Sequence, residues 1–233
     1  MSESAGSESA GSESAGHSVI ELPLFPLGSV LFPSMPLALR VFEERYLAML
    51  ASVLQNEPAE FGVVLIERGQ EVGGGEHRFD VGTIAQITHL ESAEGFIALV
   101  AQGTRRFRVV EWLPDDPFPR ALVTEIDELD WDDSLEPTRD RVERTVRRSL
   151  AVGAEFGDVQ YSATVELEDD PVDAVWQLAA ITPLNELDQL RLLRSTSLPT
   201  LFNELEDLAT TAAVALSEAS SDPDADDDED RFP

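Results

Sequence analysis

The sequence lacks both cysteine and lysine, and each absence excludes particular kinds of chemistry. Without cysteine, the chain has no disulfide, no thiolate metal site, no iron–sulfur cluster and no thiol nucleophile. All 16 basic residues are arginine, so this sequence can form neither a serine nucleophile activated by lysine nor a phosphate-binding P-loop. The lack of cysteine is compatible with a reducing compartment, and we expect a cytoplasmic protein.

Histidine is scarce, and long apolar runs are absent. The three histidines, His17, His77 and His89, do not share a metal-ligand spacing, and no G-x-S-x-G motif accompanies them. We therefore expect no catalytic residue, no metal site and no cofactor. No stretch of about 18 consecutive apolar residues occurs, which predicts that the chain has no membrane-spanning helix. The first residues also lack the basic start and apolar run of a secretory signal.

Acidic residues outnumber basic ones 46 to 16, which gives a formal charge of −30. Residues 1–18 contribute −3 and residues 217–233 contribute −7, which leaves −20 on the chain between them. This negative charge repels a phosphate backbone, so a nucleic-acid partner is disfavoured. Both ends have a composition typical of disorder: residues 2–16 repeat SESAG three times, and residues 217–233 form an acidic tail.

Two arginine clusters are positively charged in a chain that is negative overall. One contains Arg105 and Arg106, and the other occupies residues 139–148. We expect their guanidinium groups to neutralise nearby carboxylates, because Asp140 with Arg144 and Glu143 with Arg147 have the i,i+4 spacing of helical ion pairs. RNA binding through the first cluster stays an alternative.

The segment from Leu22 to Leu50, LPLFPLGSVLFPSMPLALRVFEERYLAML, combines four prolines with large apolar residues. Proline lacks an N–H donor, so the first part can be a strand only at a sheet edge, at a strand start or beside a bulge. Alternating residues after Pro36 predict a second strand. The helical spacing of Phe42, Tyr46 and Met49 then predicts an amphipathic helix.

These residues resemble a known family. The order LPLFPLG, VLFP and PLALRVFEERYLAML is similar to the start of the substrate-binding domain at the N-terminus of Lon proteases, especially its free-standing bacterial relatives. The segments Gly103 to Trp112 (GTRRFRVVEW) and Val175 to Leu193 (VWQLAAITPLNELDQLRLL) fit the same family. The resemblance covers roughly residues 22–209. The residues that carry it include Pro26, Pro33, Phe42, Glu43, Arg45, Tyr46, Phe107, Trp176 and Pro183.

The pattern of elements predicts an α+β fold. Short apolar runs between Phe61 and Glu128 indicate strands, and with the N-terminal pieces they suggest six or more mainly antiparallel strands in a partly closed β-barrel. The resemblance implies a PUA-like β-domain with the first helix packed on it. From Pro137 the spacing becomes helical, which predicts a C-terminal helical bundle. We therefore expect a disordered arm (1–18), a PUA-like β-domain (19–130), a helical subdomain (131–216) and a disordered tail (217–233).

Several helix starts are marked by capping residues. Asp170 before Pro171 is typical of an N-cap followed by proline at the first helical position. Thr182 before Pro183 repeats this pattern and predicts a further helix start. A last helix is expected to open near residues 197–199. The apolar spacing of these helices, including Trp176, favours a packed core over a binding site.

The resemblance implies a non-catalytic module that binds exposed apolar segments of other polypeptides, such as unfolded or protease-bound clients. Phe32 and Met35 are the first candidates for solvent-facing contacts with such clients, because they lie in a proline-rich connector and methionine adapts to varied partners. Ordinary core packing is the competing interpretation for both.

Acidic clusters leave a second function class open, an enzyme that uses carboxylates with a divalent metal. The candidate residues are Asp130, Asp132 and Asp133, or Glu168, Asp169 and Asp170. Both clusters precede predicted helices, where aspartates serve as N-caps and interact favourably with the helix dipole. A small-ligand site on the PUA-like scaffold is a further alternative.

Overall fold

The computed structural model describes residues 18–66, 78–155 and 160–219. The SESAG repeats, His17, His77 and the glycine cluster at residues 73–75 lie outside this part of the chain. The acidic tail also lies outside it, except at its start. There the prediction of disorder from Ser217 is wrong, because the last helix continues to Ala219.

The described residues of the β-rich half form six strands, as the sequence predicts. They are β1 (Ile20–Leu27), β2 (Pro36–Val41), β3 (Glu60–Ile66), β4 (Arg78–Ala93), β5 (Phe96–Trp112) and β6 (Arg120–Glu125). The sheet order is β2-β5-β4-β3-β1-β6, and β5 also pairs with β6, so the sheet closes on itself. It is a mixed sheet and not a regular antiparallel barrel, because β1 and β3 run parallel and β2 lies outside the ring.

The partner exchange of β1 explains how this strand accommodates its prolines. Residues 20–23 pair with β6, whereas residues 24–27 pair with β3. Each half of the strand therefore has one side without a ladder. Pro23 ends the first ladder, and Pro26 lies in the second. The missing N–H of proline is tolerated where one side of a strand is open.

Within the described ranges, the chain also forms five α-helices and one 3-10 turn. They are α1 (Glu44–Val53), the turn Asp133–Leu135, α2 (Glu136–Glu155), α3 (Pro171–Ile181), α4 (Glu186–Leu193) and α5 (Leu198–Ala219). The predicted apolar face of α2 is confirmed, since Val142, Val146 and Leu150 are buried. No helix within the described ranges is long and apolar enough to cross a membrane.

The capping predictions hold for α3 but not for α4. The Asp170 carboxylate accepts hydrogen bonds from the amides of Val172 and Asp173, with Pro171 at the first turn. Helix α4 begins three residues after Pro183, and its N-cap is Asn185, whose side chain accepts from the next turn. The expectation of a cap at Thr182 is wrong because its hydroxyl donates back to the Leu178 carbonyl oxygen of α3.

The largest apolar cluster contains side chains from both halves of the fold. It includes Met49 and Phe61 from the β-rich half together with Val146, Trp176 and Phe202 from α2, α3 and α5. A second, smaller cluster lies inside the ring of strands and includes Phe107. The sheet and the helices therefore share buried contacts on both sides of the predicted boundary near residue 130.

Candidate functional site

Phe32 and Met35 are buried, so the prediction that they face solvent is wrong. Phe32 is 1% exposed and Met35 is 8% exposed. The connector folds onto β5, where the Ser34 amide donates to the Gly103 carbonyl oxygen and the Gly103 amide donates to that of Met35, both at 2.9 Å. A Cβ at position 103 would lie 2.2 Å from the Phe32 carbonyl oxygen, so only glycine permits this approach. The connector packs as part of the core and leaves neither side chain to a client.

Arg106 connects the sheet to the helical half. Its guanidinium donates to the carbonyl oxygens of Leu193, Ser195 and Asp127 at 2.6–2.9 Å, and its carbon lies 4.8 Å from the centre of the Trp176 ring. The side chain is 3% exposed. Burial lowers the pKa of Arg106 to about 10, because the charged form loses its water. This arginine is occupied by main-chain acceptors and is not available to a phosphate.

Arg105 is also occupied, although it is only half-buried. It donates to the carboxylates of Glu60 and Glu125, and these contacts raise its pKa, with the Glu60 hydrogen bond as the largest cause. In the second arginine cluster, the predicted pair of Glu143 with Arg147 is present at 2.7 Å. Asp140 binds Arg139 instead of Arg144. The arrangement gives no support to an RNA site at residues 105 and 106.

The two acidic clusters act at the starts of helical segments. Asp132 accepts from the amide of Ser134, and Asp133 accepts from the indole N–H of Trp131. The Ser134 hydrogen bonds lower the pKa of Asp132. Asp170 caps α3. Among the residues that the structure describes, no group of three or more acids and histidines could hold a metal ion. The geometry therefore favours capping over a carboxylate-dependent active site.

The other motif residues have packing roles in most cases. Tyr46 is buried and stacks on Phe25 with ring centroids 4.1 Å apart, and Arg45 lies over its ring. Glu43 occupies the N-cap position of α1 and pairs with Arg45. Pro26, Pro33 and Phe107 are buried, Trp176 packs on Phe32, and Pro183 lies in the connection between α3 and α4.

Phe42 is the exception among the motif residues. The prediction that it begins the buried face of α1 is wrong, because the helix starts at Glu44 and the Phe42 side chain is 67% exposed. It directly follows β2, at the end of a three-stranded projection formed by β2 and the paired ends of β4 and β5. Contact between a large aromatic side chain and water is unfavourable, and this free-energy cost is removed when a partner covers the side chain.

This projection consists of β2, residues 96–102 of β5 and residues 86–93 of β4. On one face, Ala38 of β2, Val100 of β5 and His89 of β4 form a row across the three strands. The opposite face presents Leu39 and Leu99 to the main core. Because side chains alternate along a strand, the row at Val100 faces outward.

The outward face contains a shallow depression of about 280 Å³. Small side chains form its floor, at Ala38 and Ala98, together with Val100, which is 38% exposed. Arg40 and Glu91 flank the Ala98 position, because both register with it across the sheet. Small apolar residues between charged neighbours leave room for an incoming apolar side chain.

The second feature of the projection is its edge. In the described part of the chain, β2 pairs only with β5, so alternate N–H and C=O groups on its other side have no ladder partner. An edge strand beside an apolar depression is a suitable place for an added strand. Ala38, Ala98 and Val100 are not predicted as site residues by any local pattern in the sequence. The alternation of residues 37–42 was visible, but only the long-range register shows which face is open.

Comparison with known proteins agrees with the fold and with the family resemblance. The family model described as the ATP-dependent protease La (LON) substrate-binding domain matches residues 21–210. A crystal structure of a Lon N-terminal domain protein from Xanthomonas campestris shares 28% identity, covering 81% of this chain and 96% of the other, with a TM-score of 0.55. The N-terminal domain of the Mycobacterium avium complex Lon protease, 16% identical, has the same fold with a TM-score of 0.59, covering 82% of this chain and 98% of the other.

Full-length relatives extend far beyond the matched region. Lon protease 2 of Herpetosiphon aurantiacus is 30% identical over 210 residues, which is 86% of this chain and 24% of that protein. Lon protease of Anaeromyxobacter dehalogenans is 31% identical over 118 residues, 49% of this chain and 14% of that protein. This chain thus spans at most about a quarter of the length of these proteases. It belongs to the Lon substrate-binding domain family.

Proposed function

We propose that this chain is a non-catalytic module of the cytoplasm that binds extended apolar segments of other polypeptides along β2. Membership of the substrate-binding family supports the general activity. The observation that carries the location is the open edge of β2 beside the depression at Ala38, Ala98 and Val100. The absence of lysine in this sequence supports the non-catalytic role, since it excludes a serine–lysine nucleophile and a P-loop within the chain.

When a client segment binds as an added strand, its affinity and its specificity come from two different features. Main-chain hydrogen bonds to the open edge of β2 supply affinity for any extended segment, and alternate side chains supply selectivity. An added strand lies about 4.8 Å from β2, so every second side chain of the client is placed beside the outward row that contains Ala38. The chain between residues 19 and 216 carries a formal charge of −20. Clients with apolar and basic residues are therefore favoured over acidic ones.

A peptide of alternating valine and arginine, labelled with a fluorophore, provides a direct test. We expect saturable binding by fluorescence anisotropy. The same peptide with N-methylated amides at every second residue keeps its side chains but cannot donate to a strand edge, and we expect it to bind much more weakly. Equal binding of both peptides would refute strand addition.

Substitutions on the outward face locate the site. Val100→Asn and Ala38→Asn place a polar amide in the depression without changing the charge, and both are expected to weaken binding of the valine–arginine peptide. Val110→Asn is the matched control, because Val110 is on the same strand and is 58% exposed but lies outside the depression. If all three variants bind the peptide like the wild type, this face of the sheet is not the site.

A further inference from the structure

A groove runs between α2 and α5 on the helical half, well separated in sequence from the strands discussed above. It has a volume of about 460 Å³ and is lined by Arg141, Arg144, Thr145, Arg148, Val152, Thr210, Ala213, Val214 and Ser217. Arg141 pairs with Glu206 of α5 near one end of the groove, whereas Val152 and Ser217 line the other end. The two helices therefore run side by side in the same direction.

The lining of this groove is basic in a protein with a strongly negative charge. Among the residues that the structure describes, the lining contains three arginines and no carboxylate. Arg141 has Glu206 as its partner at 2.9 Å. Arg144 and Arg148 are exposed and make no ion pair with any residue that the structure describes, unlike Arg139 and Arg147 of the same helix. Two neighbouring unpaired cations beside the apolar surface of Val152 and Val214 form a site for a negatively charged segment.

The chain itself supplies such a segment directly after α5. Residues 222–230, DPDADDDED, contain seven acidic residues and no basic one. Helix α5 ends at Ala219, beyond the Ser217 end of the groove. Arg148 and Arg144 precede Val152 on α2 by roughly 6 and 12 Å of helix rise. Five extended residues span up to roughly 17 Å and nine span up to roughly 30 Å, so a chain that turns back after Ala219 can bring Asp224 to Arg148 and Asp228 to Arg144.

We infer that the acidic segment from Asp222 to Asp230 folds back into the α2–α5 groove and pairs with Arg144 and Arg148. The covalent connection favours this arrangement, because a short tether gives an effective concentration on the order of millimolar. The contact occupies a groove whose charged residues, within the described part of the chain, are all arginine. It makes the occupancy of that groove dependent on ionic strength, since exposed ion pairs are screened by salt.

The absence of cysteine allows the segment to be labelled at one site. In the full chain, Ala225→Cys introduces a nitroxide label in the middle of the acidic segment without changing its charge. Paramagnetic broadening of backbone amide signals then reports which part of the fold the label approaches. We expect strong broadening at residues 144–152 of α2, and loss of this broadening at about 1 M salt, where the Debye length falls to about 3 Å.

Two double variants in the labelled chain separate charge from folding. Arg144→Gln with Arg148→Gln removes both cations, and we expect the α2 broadening to disappear while the remaining amide spectrum is unchanged. Arg144→Lys with Arg148→Lys keeps both charges and is expected to retain most of the broadening. Broadening that is confined to the end of α5 in the wild type, or that persists unchanged in the glutamine variant, would overturn the inference.

Discussion

Replacing Arg106 is expected to destabilise the fold, although it removes a buried charge. The guanidinium donates three hydrogen bonds to main-chain carbonyl groups. Hydrogen bonds from a charged donor contribute about 1.5–3 kcal/mol each, or roughly 4–9 kcal/mol in total. The lowering of its pKa from 12.5 to about 10 corresponds to a burial cost of roughly 3 kcal/mol, which the substitution relieves. The difference between these two amounts is about 1–6 kcal/mol, and Arg106→Met should lower the free energy of unfolding by this amount.

Urea denaturation followed by tryptophan fluorescence measures this change, because Trp176 lies against the guanidinium. Arg105→Met is the matched control at the adjacent position. Arg105 is half-buried and its ion pairs are on the surface, so its replacement should cost at most about 1 kcal/mol. If Arg106→Met unfolds at the same urea concentration as the wild type, the hydrogen bonds of Arg106 do not outweigh its burial cost, and the reasoning fails.

Three further predictions concern caps, burial and pH. Asp170→Ala removes the cap of α3 and should cost about 1 kcal/mol in urea denaturation; no change would show that the cap is dispensable. Phe42→Ala should leave stability within about 0.5 kcal/mol of wild type, whereas Met49→Ala, at a fully buried site, should cost about 2–5 kcal/mol, and equal costs would contradict the observed burial. Hydrogen bonds from Arg78 lower the pKa of Asp115, so the pair stabilises the fold at neutral pH and this contribution is lost as the pH falls below about 4. The stability difference between wild type and Arg78→Gln should therefore narrow in acid, and a constant difference would refute the link.

The sequence was sufficient to predict elements whose signals are local. Asp170 with Pro171 marked the start of α3, and the spacing of Val142, Val146 and Leu150 marked the buried face of α2. These patterns depend on residues within one or two helical turns. For the same reason, the change from strands to helices along the chain is predictable from the sequence.

The sequence predictions are wrong at positions whose surroundings depend on residues that are distant in the chain. Phe32 and Met35 were expected to face solvent because prolines surround them, but Gly103, about 70 residues later, allows the connector to lie flat on β5. The helical spacing predicts that Phe42 belongs to α1, yet the helix begins two residues later. The depression at Ala38 and Val100 depends on the register of β2 with β5, and no local pattern encodes that register.

The exchange of partners by β1 also affects how the protein is made. Its first half pairs with β6, roughly 100 residues later, with Ile20 opposite Val123. At synthesis rates of about 5–20 residues per second, β1 leaves the ribosome several seconds before β6 exists. The ring of strands cannot close during that interval, and open strand edges are sites of aggregation. During its synthesis, a protein of this fold can therefore associate with other chains through its unpaired strands. The open edge of β2 is proposed to bind client polypeptides by the same kind of strand association.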